Sequence, residues 1–179
     1  TQINMDLKEY IRSIPDYPKK GILFRDITTL IKNEKAFSET INLIVERSKS
    51  FEFNKIAAIE SRGFVFASAI SYLLKKPFIL LRKKNKLPAD RYSVDFELEY
   101  GTATIEMHKD SINKSDGVLI IDDLIATGGT AEAAAKIIEM ADGKVAGFIF
   151  VINLFDLGGC DILLKKNYKV ESLLSFPGH

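Results

Sequence analysis

The stretch V-L-I-I-D-D-L-I-A-T-G-G-T, residues 118–130, decides how the rest of the chain is read. Val118 to Ile121 run apolar into two adjacent carboxylates, Asp122 and Asp123, and a loop of small residues then enters an alanine-rich segment. Where a loop enters a helix, the first-turn amides lack intrahelical acceptors. Such a turn grips a phosphate dianion, helped by a helix dipole worth about 0.3–1 kcal/mol. Ala126, Thr127, Gly128, Gly129 and Thr130 suit that task. Their small side chains allow close approach, both glycines can take positive φ, and the threonine hydroxyls add donors. Asp122 and Asp123 repel a phosphate but accept hydrogen bonds from vicinal hydroxyls, so a ribose 5-phosphate satisfies both ends of the motif. The competing reading is a buried strand and an ordinary turn with one aspartate as a helix cap, which leaves the other carboxylate and the loop composition unexplained. Neither G-x-x-x-x-G-K-[S/T] nor G-x-G-x-x-G occurs, so a P-loop hydrolase and a dinucleotide-binding Rossmann unit are unsupported.

The chain has 179 residues, 46% hydrophobic and 27% charged, enough for one substantial core and a single domain over 1–179. A net charge of +1 is far from the basic excess of a nucleic-acid binder, so no nucleic-acid partner is expected. Cys160 is the only cysteine, and the first twenty residues are studded with charges where a signal peptide would be apolar, which points to the cytoplasm. No apolar run reaches the roughly 18 residues that span a bilayer, so no membrane association is expected.

Periodicity predicts helices over 5–14, 34–50, 64–75 and 130–141, and strands over 55–59, 78–81, 118–122, 145–152 and around 170–174. Strand-helix-strand order implies a mostly parallel sheet flanked by helices, an α/β fold. Between residues 93 and 107, Val94, Phe96 and Leu98 alternate with polar residues, Tyr100-Gly101 breaks the run, and Ala103, Ile105 and Met107 resume it. That pattern predicts a β-hairpin projecting from the sheet. Ligands of such sheets lie at the carboxyl ends of the strands. Three polar motifs fall there: Glu60-Ser61-Arg62-Gly63, Arg82-Lys83 and Asp122-Asp123.

Ser61, Arg62 and Gly63 can offer backbone donors while Arg62 adds a charged fork, the makings of a pyrophosphate cradle; a surface arginine beside a helix cap is the alternative. Arg82, Lys83, Lys84 and Lys86 form a basic run that by itself reads first as a solvated loop, and second as cations set opposite a pyrophosphate. Glu99 and Tyr100 sit at the hairpin turn beside Gly101, where a glutamate is commonplace but a lid is also built this way. In I-L-F-R-D-I-T, Phe24 could stack on a flat base and the Arg25 backbone could read a base edge, but a hydrophobic hairpin or edge strand is the plainer local reading. His108 and His179 are separated, and Cys160 has no base nearby, so all three read as structural and no protein-held metal is expected.

Residues 118–130 closely resemble the phosphoribosyl pyrophosphate signature of the type I phosphoribosyltransferases. P-D-Y-P-K-K-G-I-L-F-R-D-I-T from Pro15, E-S-R-G-F from Glu60, R-K-K-N-K-L-P from Arg82, L-E-Y-G from Leu98 and the closing F-P-G-H are similar to the adenine-using branch of that family. The resemblance implies a five-stranded parallel core, a small hood mainly from residues 1–33, and a lid over about 83–107. It implies transfer of a phosphoribosyl group from phosphoribosyl pyrophosphate to adenine, giving AMP and pyrophosphate, with Mg2+ carried by the pyrophosphate substrate, in a homodimer. Pyrophosphate would be held by Ser61, Arg62, Arg82, Lys83 and Lys86, with Arg62 and Lys83 acting catalytically. Glu99 would exchange a proton with the purine, Tyr100 would cover the sugar, and Phe24, Arg25 and Leu157 would bound the adenine. The resemblance also implies a non-proline cis peptide at Glu60-Ser61, and Asn85 stands where many relatives have glycine.

Overall fold

The structure is a computed structural model of the chain, and it describes residues 5–98 and 101–179. Seven strands form the main sheet: β3 (Lys55–Ile59), β4 (Phe78–Lys83), β5 (Arg91–Leu98), β6 (Gly101–His108), β7 (Gly117–Ile125), β8 (Lys144–Leu154) and β9 (Val170–Phe176). Their order is β5-β6-β4-β3-β7-β8-β9. The pairs β4-β3, β3-β7, β7-β8 and β8-β9 are parallel, which gives the expected five-stranded parallel core. A separate two-stranded sheet pairs β1 (Arg12–Pro15) with β2 (Leu23–Asp26).

Strand alternation divides the apolar residues between two faces. Ile56, Ala58, Leu119, Ile121, Ile149 and Val151 pack beneath α2 (Glu34–Ser48) and α3 (Arg62–Leu74), against Ile41, Ile44, Phe66 and Ile70. Ala57, Ile59, Val118, Ile120, Phe148 and Phe150 pack with α4 (Gly129–Met140), whose Ala131, Ala134 and Ala135 keep it close to the sheet. A short α1 (Thr28–Ile31) precedes α2, and α5 (Gly159–Lys165) follows β8.

Several expectations change. Residues 5–14 form no continuous helix: a 3-10 turn at Leu7–Tyr10 buries Leu7, and the chain then extends into β1. Leu7 and Ile11 mimic a helical stripe, yet residues 12–15 pair with β2, where Pro15 is tolerated at a strand edge. The strand at 118–122 runs on to Ile125, because β8 pairs with Asp122, Leu124 and Ile125 and so carries the ladder past the carboxylates. The hairpin does not project freely. Its root pairs with β4 through Arg82↔Glu106 and Lys83↔Ile105, and Val94, Ile105 and Met107 are core residues.

Two buried carboxylates tie the framework together. Asp116 accepts from Lys55 Nζ at 2.7 Å, Asn54 Nδ2 at 2.8 Å and Asn113 N at 2.7 Å. The Lys55 and Asn54 hydrogen bonds outweigh the cost of burial and hold its carboxyl at about 2. At Asp26 burial alone would raise the pKa, but the Thr28 hydroxyl and N–H and the Arg12 guanidinium together bring it down to about 2. A carboxyl lowered by folding stabilises fully above its ordinary value of 3.8 and loses that contribution as pH falls through about 2. Thermal melts from pH 6 to pH 2 should therefore show a loss concentrated below pH 4 that is shallower in Asp116→Asn; identical slopes would contradict this.

Candidate active site

The three polar motifs meet in one crevice of about 1260 Å³ at the carboxyl ends of β3, β4 and β7. Ser61, Arg62, Lys83, Lys86, Asp122, Asp123 and Ala126 to Thr130 line it, with Glu60, Lys84 and the β5 residues Phe96 to Leu98. Phe24, Arg25, Arg82 and Leu157 lie outside that lining. Glu99 and Tyr100 fall outside the described residues.

The loop that enters α4 leaves its helix entrance without a side-chain cap. Gly128 is the N-cap, with φ of 93°. The reading of Asp122 or Asp123 as a cap is thereby removed, and the first-turn amides keep their free donors. Of the loop's two glycines only Gly128 has positive φ; Gly129 is small for another reason. A Cβ there would lie 2.8 Å from the carbonyl oxygen of Glu97, so β5 rests directly on the loop. Gly159 supports it from below, donating its N–H to Ala126 O at 3.1 Å, and a Cβ at Gly159 would sit 2.5 Å from that oxygen. In the sequence the one sign of this support is the adjacent pair Gly158-Gly159, which carries no chemistry of its own. The Cys160 thiol is pushed up by burial and by the adjacent Asp161 charge, away from nucleophilic duty.

Asp122 and Asp123 stand side by side on β7. Asp122 Oδ1 accepts from the Asp123 N–H at 2.8 Å, and a Cβ at Gly63 would come within 2.9 Å of that oxygen, so α3 closes against it. Burial first, and the Asp123 charge second, push the Asp122 carboxyl well above its ordinary value. Asp123 is 4% exposed, with Arg62 Nε 2.9 Å from Oδ2. That ion pair has no hydrogen-bonding alignment, and Oδ2 is a buried acceptor left unsatisfied. Buried acceptors of this kind are costly and point to a partner that arrives with a ligand. Arg62 also lies under Phe24, 5.5 Å from the ring centre, which links the β1-β2 sheet to the crevice.

The basic run is held in place by carboxylates. Glu60 accepts the Lys83 N–H and lies 3.5 Å from Arg82 Nε. Arg82 thus turns toward Glu60, while Lys83, Lys84 and Lys86 face the crevice. Buried Glu106 accepts from Asn85 N at 2.8 Å, Arg91 Nε at 3.1 Å and the Ser93 hydroxyl. The Ser93 hydrogen bond leads in holding the Glu106 carboxyl below its usual range. Asn85 has φ of 67°, the left-handed region that glycine occupies freely and asparagine tolerates best among the other residues. The Glu60-Ser61 peptide is cis, as the resemblance implied, and so is Tyr17-Pro18. Among the described residues no group of three or more His, Cys, Asp or Glu side chains is placed to hold a metal ion. Nor, among them, is any helix long and apolar enough to cross a membrane.

Residues 26–174 match the model of the phosphoribosyl transferase domain. An adenine phosphoribosyltransferase of Pelagibacter ubique (strain HTCC1062) is 77% identical over 98% of this chain and 100% of its own length. The chain belongs to the adenine phosphoribosyltransferase family. The crystal structure of the family member from Thermoanaerobacter pseudethanolicus superposes with a TM-score of 0.91 at 44% identity, over 95% of this chain and 98% of that one. The Saccharomyces cerevisiae adenine phosphoribosyltransferase, in complex with D-2,5-dideoxy-2,5-imino-altritol 1,6-bisphosphate and adenine, has a TM-score of 0.85 at 33% identity over 94% and 96% of the two chains. The phosphoribosyltransferase fold thus accounts for the parallel core and for the crevice at its strand ends.

Proposed function

We propose that the crevice transfers the 5-phosphoribosyl group of phosphoribosyl pyrophosphate to adenine, giving AMP and pyrophosphate in purine salvage. One observation carries this reading: an uncapped helix entrance, two adjacent carboxylates and a row of cations share a single cleft. The relative complexed with both adenine and a sugar-like bisphosphate supports the same pairing of ligands.

The 5-phosphate sits on the amides of Ala126 to Thr130, and the ribose hydroxyls donate to Asp122 and Asp123, which supplies Asp123 with its missing partner. Arg62 leaves Asp123 and joins Ser61, Lys83 and Lys86 on the pyrophosphate, with Arg82 behind them. The substrate brings Mg2+ on its pyrophosphate, where the ion adds neutralising charge. The bond from C1 to the pyrophosphate oxygen breaks with its electron pair going to the leaving group. The sugar becomes oxocarbenium-like, and cations aimed at the growing charge lower the barrier. Adenine, between Phe24 with the Arg25 backbone and Leu157, supplies the nitrogen that closes the new bond, and its proton passes to Glu99. The hood (mainly 1–33) and the lid (about 83–107, with Tyr100) exclude water from the activated sugar. Residues 1–179 act as a single domain.

The active form is a homodimer in the cytoplasm. Val65, Tyr72 and Leu73 on α3 and Leu80 on β4 expose an apolar surface, with Tyr72 83% exposed, which a second subunit would cover.

The ultraviolet assay of AMP formation from adenine, phosphoribosyl pyrophosphate and Mg2+ tests the function. Preference for hypoxanthine, guanine or xanthine over adenine would overturn it. Glu99→Gln should lower kcat by about 10²–10⁴-fold with little change in substrate affinity. A change confined to KM would remove the proton-transfer role.

A further inference from the structure

We infer that residues 176–178 form a clasp that joins the two walls of the adenine pocket and sets their spacing. This rests on the adenine reading above, and four observations meet in it. Arg25, 8% exposed, sends its side chain away from the crevice, donating from Nη1 to Ser13 Oγ at 2.5 Å and from Nη2 to the Pro177 carbonyl at 3.0 Å. Its guanidinium lies 4.7 Å from the centre of the Phe176 ring. One residue on, the Gly178 N–H donates to Asp156 Oδ1 at 2.6 Å. Gly178 is also seated on Leu157, where a Cβ would come within 2.5 Å of Cγ.

Three consecutive residues therefore hold the β2 side of the pocket through Arg25 and the Leu157 side through Asp156 and direct contact. A buried guanidinium with no carboxylate of the described residues against it, and with Nε unsatisfied, is an expensive way to pack a small hairpin. Its planar fork is suited to bridging two fixed oxygens from separate nitrogens. In this arrangement Arg25, Asp156 and Gly178 are positioning residues: they touch no reacting atom, and they act on the gap in which a flat base inserts.

The test is steady-state kinetics with each substrate varied in turn, on the full chain and on Asp156→Ala, Asp156→Asn, Gly178→Ala and Arg25→Lys. Asp156 is exposed, so its substitutions leave the core intact. Loss of one charged acceptor should raise KM for adenine about fivefold or more in Asp156→Ala, with kcat and KM for phosphoribosyl pyrophosphate within about twofold. Gly178→Ala, which must displace Leu157, and Arg25→Lys should shift the same constant. Asp156→Asn keeps an oxygen for the Gly178 N–H and should restore it. An unchanged adenine KM in Asp156→Ala and Gly178→Ala, an equal loss on both substrates, or an Asn variant as impaired as the Ala variant overturns the clasp. A parent enzyme that makes no AMP would instead overturn the functional reading itself.

Discussion

Replacing Asp122 and Asp123 together by asparagine should lower kcat/KM for AMP formation about 10²–10⁴-fold, since hydrogen bonds to charged acceptors are worth about 1.5–3 kcal/mol each and two are weakened. The fold should not suffer. Asp122 is already penalised as an anion, first by burial and then by the charge of Asp123, so amides at both positions relieve a repulsion that the native protein tolerates. The sign follows from linkage: a carboxyl raised by folding costs stability as pH climbs above its ordinary value of 3.8. The doubly substituted protein should thus melt at or above the parent temperature at pH 7, and the gain should vanish in acid. Paired loss of activity and retention of stability is what a binding pair predicts. Unchanged kcat/KM would show that these carboxylates do not hold the sugar.

Gly129→Val should weaken AMP binding by about 10²-fold, since overpacking costs of about 1–3 kcal/mol fall directly on the loop proposed to hold the phosphate. The cause is nonlocal. The new Cβ would lie 2.8 Å from the Glu97 carbonyl, a backbone atom that cannot rotate away, so either β5 lifts or the 126–130 turn shifts. Calorimetry on AMP and adenosine separates the phosphate contribution from the rest. The variant should lose most of the preference for AMP, while adenosine binding changes little. A preserved preference would place the phosphate elsewhere.

The parallel core was legible because its strands are short apolar runs separated by helical periodicity, and the local signal agrees with the tertiary outcome in β3, β7 and β8. The convergence of Ser61, Arg62, Lys83, Asp122, Asp123 and residues 126–130 followed from that topology alone. What escaped reading depends on long-range partners. Residues 12–15 pair across a turn with β2, which outweighs a helix-like stripe at Leu7 and Ile11. Asp122 and Asp123 look like a strand end until β8 extends the ladder to Ile125. Gly129 reads as a residue needing positive φ, whereas its size is set by a strand some thirty positions earlier. The Arg25 backbone suits a base edge, and nothing local indicates that its side chain turns to Pro177. Glu60 and Glu106 resemble ordinary charged neighbours, yet each fixes part of the basic run, Glu60 from the turn after β3 and Glu106 from β6.

The most direct measurement is a crystal structure of the protein with AMP bound. The phosphate should rest on the backbone amides of Ala126 to Thr130, with the ribose hydroxyls on Asp122 and Asp123 and Arg62 drawn off Asp123. Phosphate density at the Lys83–Lys86 stretch, or hydroxyls turned away from both aspartates, would contradict the account.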